Sequence, residues 1–480
     1  MNTFKRKSLY TALAGLSALG ATGAAQAVNV NPDGLGQVLL YPYYTTRATA
    51  AGNSYASLLS VVNSTSSAKA VKVRFLEGKN SREVLDFNLF LSAYDVWTAA
   101  ILPSTSGGGA KVATNDKSCT LPTIPAGGVD FVNYAYSGGG APNDDAGGGA
   151  LDRTREGYVE IIEMGYLVDG STTATQVTHV NGVPPGCASI TDSQAGSDTS
   201  FANGGLFGGM TLINVAAGTD FTEDAVALDN FYFPGDGQYR NAGDIRPQLS
   251  DADPFSTVFG AGGSVVQTDW TGSPNSADAV SAVLMHNNVM NEFVLDVLTQ
   301  SGTDWVVTMP TKRFYVAVGT GNATRLFQRN FNGTAGSCDD VSLDLYDREE
   351  FKRAGGFSPA PPGSVNRICW EANVITFSGS NVLGSANTSN IPTTFANGWM
   401  RMGFFPGSQG ASHVLRTPVG QTTTTFPGGS TSTANVTYFG LPVVGFAVQS
   451  FLNGTLVVSG ASVLSNYGGN FVHKYTTLIQ

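Results

Sequence analysis

Four histidines, His179, His286, His413 and His473, are the only imidazoles in the 480-residue chain, so any acid–base or metal chemistry that needs one must use them. Serine hydrolysis requires a nucleophile, a base within hydrogen-bond reach and a third group that orients the base. No G-x-S-x-G elbow occurs. Ser412 and His413 are neighbours in a polar stretch, but adjacency in sequence does not supply that geometry, and His413 reads as a solvent-facing loop residue. His286, in Leu284-Met285-His286-Asn287-Asn288, reads as a structural histidine at a strand end. The H-E-x-x-H of a zinc protease and the G-x-x-x-x-G-K-S/T of a phosphate loop are both absent.

Carboxylate pairs can run glycosidic chemistry when they flank one site. Glu160 and Glu163 are three apart on an expected strand and so point to opposite faces. Asp339, Asp340, Asp344, Asp347, Glu349 and Glu350 form an acidic cluster of the oxygen-rich kind that calcium uses, and Asp251 with Asp253 is a second. The EF-hand spacing is missing, so a solvated acidic loop is the expectation for both. Exposed Trp and Tyr can stack on sugar rings. Of the five tryptophans, Trp97, Trp305, Trp370 and Trp399 lie in apolar strands and are expected in the core. Trp270 follows Asp269 in a polar stretch and is the expected exposed one. Tyr41, Tyr43 and Tyr44 crowd one short edge, where packing is the expected role.

The compartment limits the remaining chemistry. Lys5, Arg6 and Lys7 precede an apolar stretch from Leu9 to about Leu19 and small residues ending in Ala25-Gln26-Ala27. This is the layout of a secretory leader, and it places the cleavage after Ala27. The apolar stretch is shorter than the roughly 20 residues that span a bilayer, and no later segment suits a membrane helix. Loss of the three leader cations moves the formal net charge from −10 to −13. Such a surface repels phosphate backbones, so nucleic acid is not an expected partner. In an exported chain Cys119, Cys187, Cys338 and Cys369 read as two disulfides. Among three pairings we favour Cys119–Cys187 and Cys338–Cys369, because each closes a loop within one half of the chain. No CxxC occurs and His179 is not at zinc-finger spacing from Cys187, so neither a metal nor another cofactor is expected.

The elements that must position these residues read as strands. Leu35 to Tyr44 is one, and it must end or become an edge at Pro42. Ala70 to Glu77 alternates, with Val71, Val73 and Phe75 on one side and Lys72, Arg74 and Leu76 on the other. Val84 to Leu91, Asp95 to Leu102, Gly157 to Gly165 and Gly204 to Val215 follow. Ser104 to Asp152, with the runs Gly138-Gly139-Gly140 and Gly147-Gly148-Gly149, reads as a long loop. After a loop from Pro234 to Pro254, Ala279 to Met290 and Asn291 to Leu298 suggest a hairpin. Strands are expected on both sides of Pro310, from Trp305 and from Thr311 to Val316, then over Cys369–Phe377, Gly398–Phe405, Leu441–Phe451 and Thr455–Ser459. The expected fold is all-β, an antiparallel β-sandwich with long Gly-rich loops. Its expected parts are a leader (1–27) and two sandwich units (28–235 and 255–480).

Leu58 to Leu102 looks like part of an immunoglobulin-like sandwich. Three stretches, Asp304-Trp305 through Tyr315, Gly440-Leu441-Pro442-Val443-Val444-Gly445-Phe446 and Asn466-Tyr467-Gly468-Gly469-Asn470, give the chain a wider resemblance. It resembles uncharacterised exported β-sandwich proteins of Gram-negative bacteria. That resemblance implies an envelope, periplasmic or extracellular location and transfers no active site. The expected role is therefore structural or adhesive at the cell surface or outside it, without catalysis. The expected partners are further copies of the chain, other envelope proteins or a glycan. A carbohydrate-binding or glycan-active protein is the first alternative. An outer-membrane barrel is the second, against which the chain ends Leu478-Ile479-Gln480 without a terminal aromatic.

Overall fold

Apolar–polar alternation builds the first half. Along Lys69–Glu77, Val71, Val73 and Phe75 enter a hydrophobic core, while Lys72 and Arg74 find carboxylates on the opposite face. In the computed structural model of the chain, residues 27–138, 144–233, 238–316, 326–354, 366–404 and 413–480 are described. The leader up to Gln26, Gly139, Gly140, Pro234, Phe405 and Ser412 lie outside them.

One antiparallel sheet runs Asn29–Val30, Val226–Asp229, Val38–Thr45, Glu156–Tyr166, Lys69–Glu77, Glu83–Leu91 and Cys119–Leu121. A second runs Thr219–Asp224, Gly209–Asn214, Ala56–Asn63, Val96–Pro103, Ala110–Ala113 and Val129–Asp130, with Leu206–Phe207 beside Ala56–Asn63. Their inner faces share a core that holds Tyr41, Tyr43, Tyr44, Phe87 and Trp97. Pro42 does not end its strand. Val226–Asp229 pairs only with Val38 to Leu40, so the flank beside Pro42 is a local edge where a missing N–H leaves no ladder bond unmade.

In the second half a five-stranded sheet runs Thr388–Ile391, Ala372–Phe377, Ser301–Thr308, Val444–Val458 and Ala461–Val472. Both of its faces are covered. Val306, Val374, Phe446 and Val448 join the core of the first half. Trp305, Val307, Ile375 and Phe377 join Val289, Phe293, Leu345, Met400 and Met402 in another core. Burial on both faces explains why these strands read as unbroken apolar runs. The latter residues come from a second large sheet, Lys352–Ala354, Asp339–Asp347, Asn397–Gly403, Asn288–Val294 and Lys474–Thr476. The described chain is thus all-β, with 48% strand and 10% helix, and no sheet closes into a barrel. No described helix is long and apolar enough to cross a membrane.

Among the described residues, no strand pairing other than the bridge between Val28 and Ser256 crosses the loop after residue 233. Backbone hydrogen bonds such as Ala372 N to Gly78 O (2.8 Å) and side-chain contacts join the two halves. Asn466 Nδ2 donates to Ala217 O (2.6 Å), and Asn470 donates to Glu223. Between them a Cβ on Gly468 would stand 2.3 Å from Asp220 O, so only glycine lets the edges meet. Gly440 is similar, at φ 119° with a Cβ position 1.8 Å from His286 O. These contacts give two of the three stretches singled out above a structural role.

Three segments depart from expectation. Ser104 to Asp152 is not bare loop. Ala110–Ala113 pairs with Val96–Pro103, and Cys119–Leu121 pairs with Asn88 to Phe90. Ala279 to Met290 is not the first arm of a hairpin. Asp278–Val283 is a helix buried on all sides, with Asp278 in its first turn, and Asn288–Val294 is the strand. Beyond Pro310 the chain makes a 3₁₀ turn, Lys312–Phe314, where a strand was expected. That turn delivers Lys312 Nζ to Asp339 (2.8 Å) in the interior, a tertiary contact that overrides local β preference.

The disulfides join Cys119 to Cys187 and Cys338 to Cys369. Closing loops over 68 and 31 residues restricts the unfolded chain by about 3–4 kcal/mol each. Replacing Cys338 and Cys369 by Ser is therefore expected to lower the unfolding free energy by about 3 kcal/mol, measured by urea titration of tryptophan fluorescence.

Candidate functional site

The residues with catalytic potential are mostly committed to structure. His413 is buried, with Nε2 3.1 Å from Asp339 Oδ1 and Nδ1 on the Phe404 carbonyl, so it is not a solvent-facing loop residue. Lys312 takes the other oxygen of Asp339, and this buried ion pair draws His413 inward. His179 forms a cluster that sequence spacing did not reveal. Ser92 Oγ lies 2.9 Å from its Nδ1, and Asp95 Oδ2 lies 3.6 Å from the same nitrogen. A catalytic relay needs serine and carboxylate on opposite ring nitrogens. Asp95 also accepts from Ser92 N and Ser118 Oγ, so the cluster staples a turn.

Most of the acidic candidates find cations of the chain, while Asp347 and Asp253 accept from backbone N–H groups. Glu160 holds Arg74, and Glu163 holds Lys69. Asp340 meets Arg329 and Arg367, Asp344 meets Arg401 and Lys352, and Asp251 meets Arg246. Asp339 to Asp347 is a strand whose Val341, Leu343 and Leu345 face inward, so of the expected solvated loop only the exposed turn with Glu349 and Glu350 remains. Among the described residues no cluster of three His, Cys, Asp or Glu side chains suits a metal ion.

Glu371 and Asp304 are buried in the interior. Burial pushes Glu371 up to about 8, although Lys312, a hydrogen bond from Ser81 (3.0 Å) and Arg313 offset part of the effect. Burial likewise pushes Asp304 up to about 7 against hydrogen bonds from Leu383 N (2.9 Å) and Ser380 Oγ (3.2 Å). The folded protein thus keeps protons that the unfolded chain releases near the ordinary carboxyl values. The resulting stabilisation is complete below those values and is lost as pH rises through 7 and 8. The urea midpoint is expected to fall between pH 5 and pH 9. Glu371→Gln, neutral throughout, should fall less than wild type over the same interval.

Trp97 and Trp305 are buried as expected and Trp370 is half-buried, but Trp270 and Trp399 reverse the expectation. Trp270 is buried, its Nε1 donating to Ser256 Oγ (2.8 Å). Trp399 is 40% exposed. On Asn397–Gly403 the strand alternates, so Met400 and Met402 enter the core and Trp399 faces outward with Arg401. The parity with Arg401 was the signal in the sequence. Strand register places Tyr346 on one side of Trp399 and Glu292 on the other. Tyr346 and Trp399 are stacked, with ring centroids 4.9 Å apart and planes 12° from parallel. In the next row Asp344, Arg401, Met290 and Lys474 lie across the same sheet. Partial burial would raise Asp344, but hydrogen bonds from Lys352 and Arg401 hold its carboxyl below the usual range.

Two hollows adjoin at Trp399 and Glu292. One, about 460 Å³, also reaches Asp347, Arg348, Asn397 and Gln449. The other, about 630 Å³, reaches Asn291, Asn470, Phe471 and Lys474. The result is an elongated open cleft with a fixed indole at its centre. It carries carboxylate, amide and cationic groups along its sides. Among the described residues the Glu292 carboxylate has no hydrogen-bond partner. A larger hollow, about 1050 Å³, lies on the outer face of the second sheet, but small aliphatic and hydroxyl side chains dominate it and Phe207 is its one aromatic. Compared with family models, curated proteins and solved structures, the chain matches none of them. The cleft must therefore be read from its own chemistry.

Proposed function

We propose that this chain is an exported adhesive protein that binds glycan in the Trp399 cleft and performs no catalysis. The stacked, exposed Trp399 carries the reading. A planar indole held by Tyr346 offers an apolar face to the C–H side of a pyranose ring at little entropic cost. Glu292, Asp347, Asn397 and Asn291 supply acceptors and donors for hydroxyls on both sides. The length of the cleft suits several linked rings. Two disulfides accord with an oxidising compartment, and the resemblance noted above supports an envelope or extracellular setting. Affinity electrophoresis through gels containing neutral or acidic polysaccharides tests the proposal. Retardation by at least one of them is expected, and uniform migration through all of them would sink it.

One observation favours self-association as a second activity. From Thr417 to Val472 there is no Asp, Glu, Lys, Arg or His, and the hairpin of Val444–Val458 and Ala461–Val472 exposes Val457, Val458, Val463 and Leu464. An uncharged edge without proline lacks the usual protection against strand addition. Sedimentation velocity over a hundredfold concentration range should show growth, and Val463→Lys should reduce it.

A further inference from the structure

Another hollow, of about 490 Å³, lies where the two halves meet and shares Val472 alone with the lining of the Trp399 cleft. Val30 and Val226 line it from the first half, and Val258, Val289, Val307 and Val443 from the second. Among the described residues no charged side chain lines it. Its polar groups include His286, His473 and Tyr475. Tyr475 stacks on His286 with centroids 3.8 Å apart. His473 has Nε2 3.0 Å from the Val306 carbonyl and Nδ1 3.3 Å from Asn291 Nδ2, which suits a neutral ring with its proton on Nε2. Both imidazoles are neutral at ordinary pH. Burial pushes His286 down to about 3 and His473 down to about 4, with the Val306 carbonyl offsetting part of the His473 shift. His286 keeps some surface, yet its Nδ1 is fully buried and has no hydrogen-bond partner among the described residues.

We propose that this hollow is a binding site for an uncharged, hydrocarbon-rich small molecule of acyl-chain character. The volume and the lining point the same way. The volume falls in the range of small-molecule sites, which favour junctions between structural units. The wall is valine-rich. An ionised headgroup would meet no counter-charge inside and would lose its hydration on entry.

Titration of the disulfide-bonded protein with the neutral fluorophore N-phenyl-1-naphthylamine tests this. A saturable, one-site rise in fluorescence is expected. At pH 8, 1-decanol should displace the probe at least tenfold more effectively than decanoate, and decanol should raise the thermal midpoint. Val226→Trp and Val472→Trp fill the hollow from different strands, and each should weaken the probe at least tenfold. Trp399→Ala should leave it unchanged. Because Val472 is more than half exposed, its replacement keeps the test alive if Val226→Trp fails to fold. A non-saturating signal, equal displacement by decanoate, or unaltered binding in a folded filled variant would each overturn the proposal.

Discussion

Trp399→Ala is expected to weaken polysaccharide binding at least thirtyfold while leaving the protein folded. Central aromatic contacts in a binding site commonly contribute about 2 kcal/mol or more, and each 1.4 kcal/mol is tenfold in affinity. The effect on stability should be small for a stated reason. Trp399 is exposed, and the core beneath it is built from Met400 and Met402. The variant loses the stack with Tyr346, worth about 1 kcal/mol. Glu292→Gln keeps the shape of the cleft and removes one charge, so it should weaken binding less than Trp399→Ala. Isothermal titration against the polysaccharide that retards the protein reads both, with circular dichroism as the fold control. Unchanged affinity in folded Trp399→Ala would remove the cleft from consideration.

Arg74→Met should have the largest effect on stability, a loss of about 5 kcal/mol at pH 7. Arg74 is buried between two strands of the first sheet, with Nε 2.8 Å from Glu83 Oε2 and Nη1 2.5 Å from Glu160 Oε2. Burial alone would lower its pKa, but Glu83 and Glu160 outweigh burial and hold the guanidinium firmly charged. Removing it leaves the Glu160 carboxylate desolvated without a counter-charge, which is more damaging than the net worth of the intact pair. One further result separates this cause from lost packing. Arg74→Met combined with Glu160→Gln should recover most of the loss. Urea unfolding at pH 7 measures it. A double variant no better than the single one would assign the loss to packing.

Local pattern was legible wherever one face of a strand meets a core. Lys69–Glu77 and Glu83–Leu91 could be read from alternation because Val71, Val73, Leu85 and Phe87 repeat at period two and the chain has one stable way to bury them. The even cysteine count and short loops favoured the pairing that the structure adopts. Ala279 to Met290 misled because a helix buried on every side has no polar stripe to betray its period. Trp270 lies just past the end of Val265–Asp269 and is buried by residues distant in sequence, whereas Trp399 sits in an apolar run where only its parity with Arg401 marks the outward face.

By itself, then, the amino-acid order determined strand character, the oxidised cysteine framework and the absence of familiar catalytic motifs. These follow from side-chain period and covalent chemistry, which act over a few residues or between unique partners. Only the tertiary structure decided which tryptophan meets solvent, which acids meet which cations, and how Val30 and Val443 come to line one hollow. Those outcomes depend on strand register and sheet stacking between residues hundreds of positions apart, and a single sequence does not encode such distances in any local pattern.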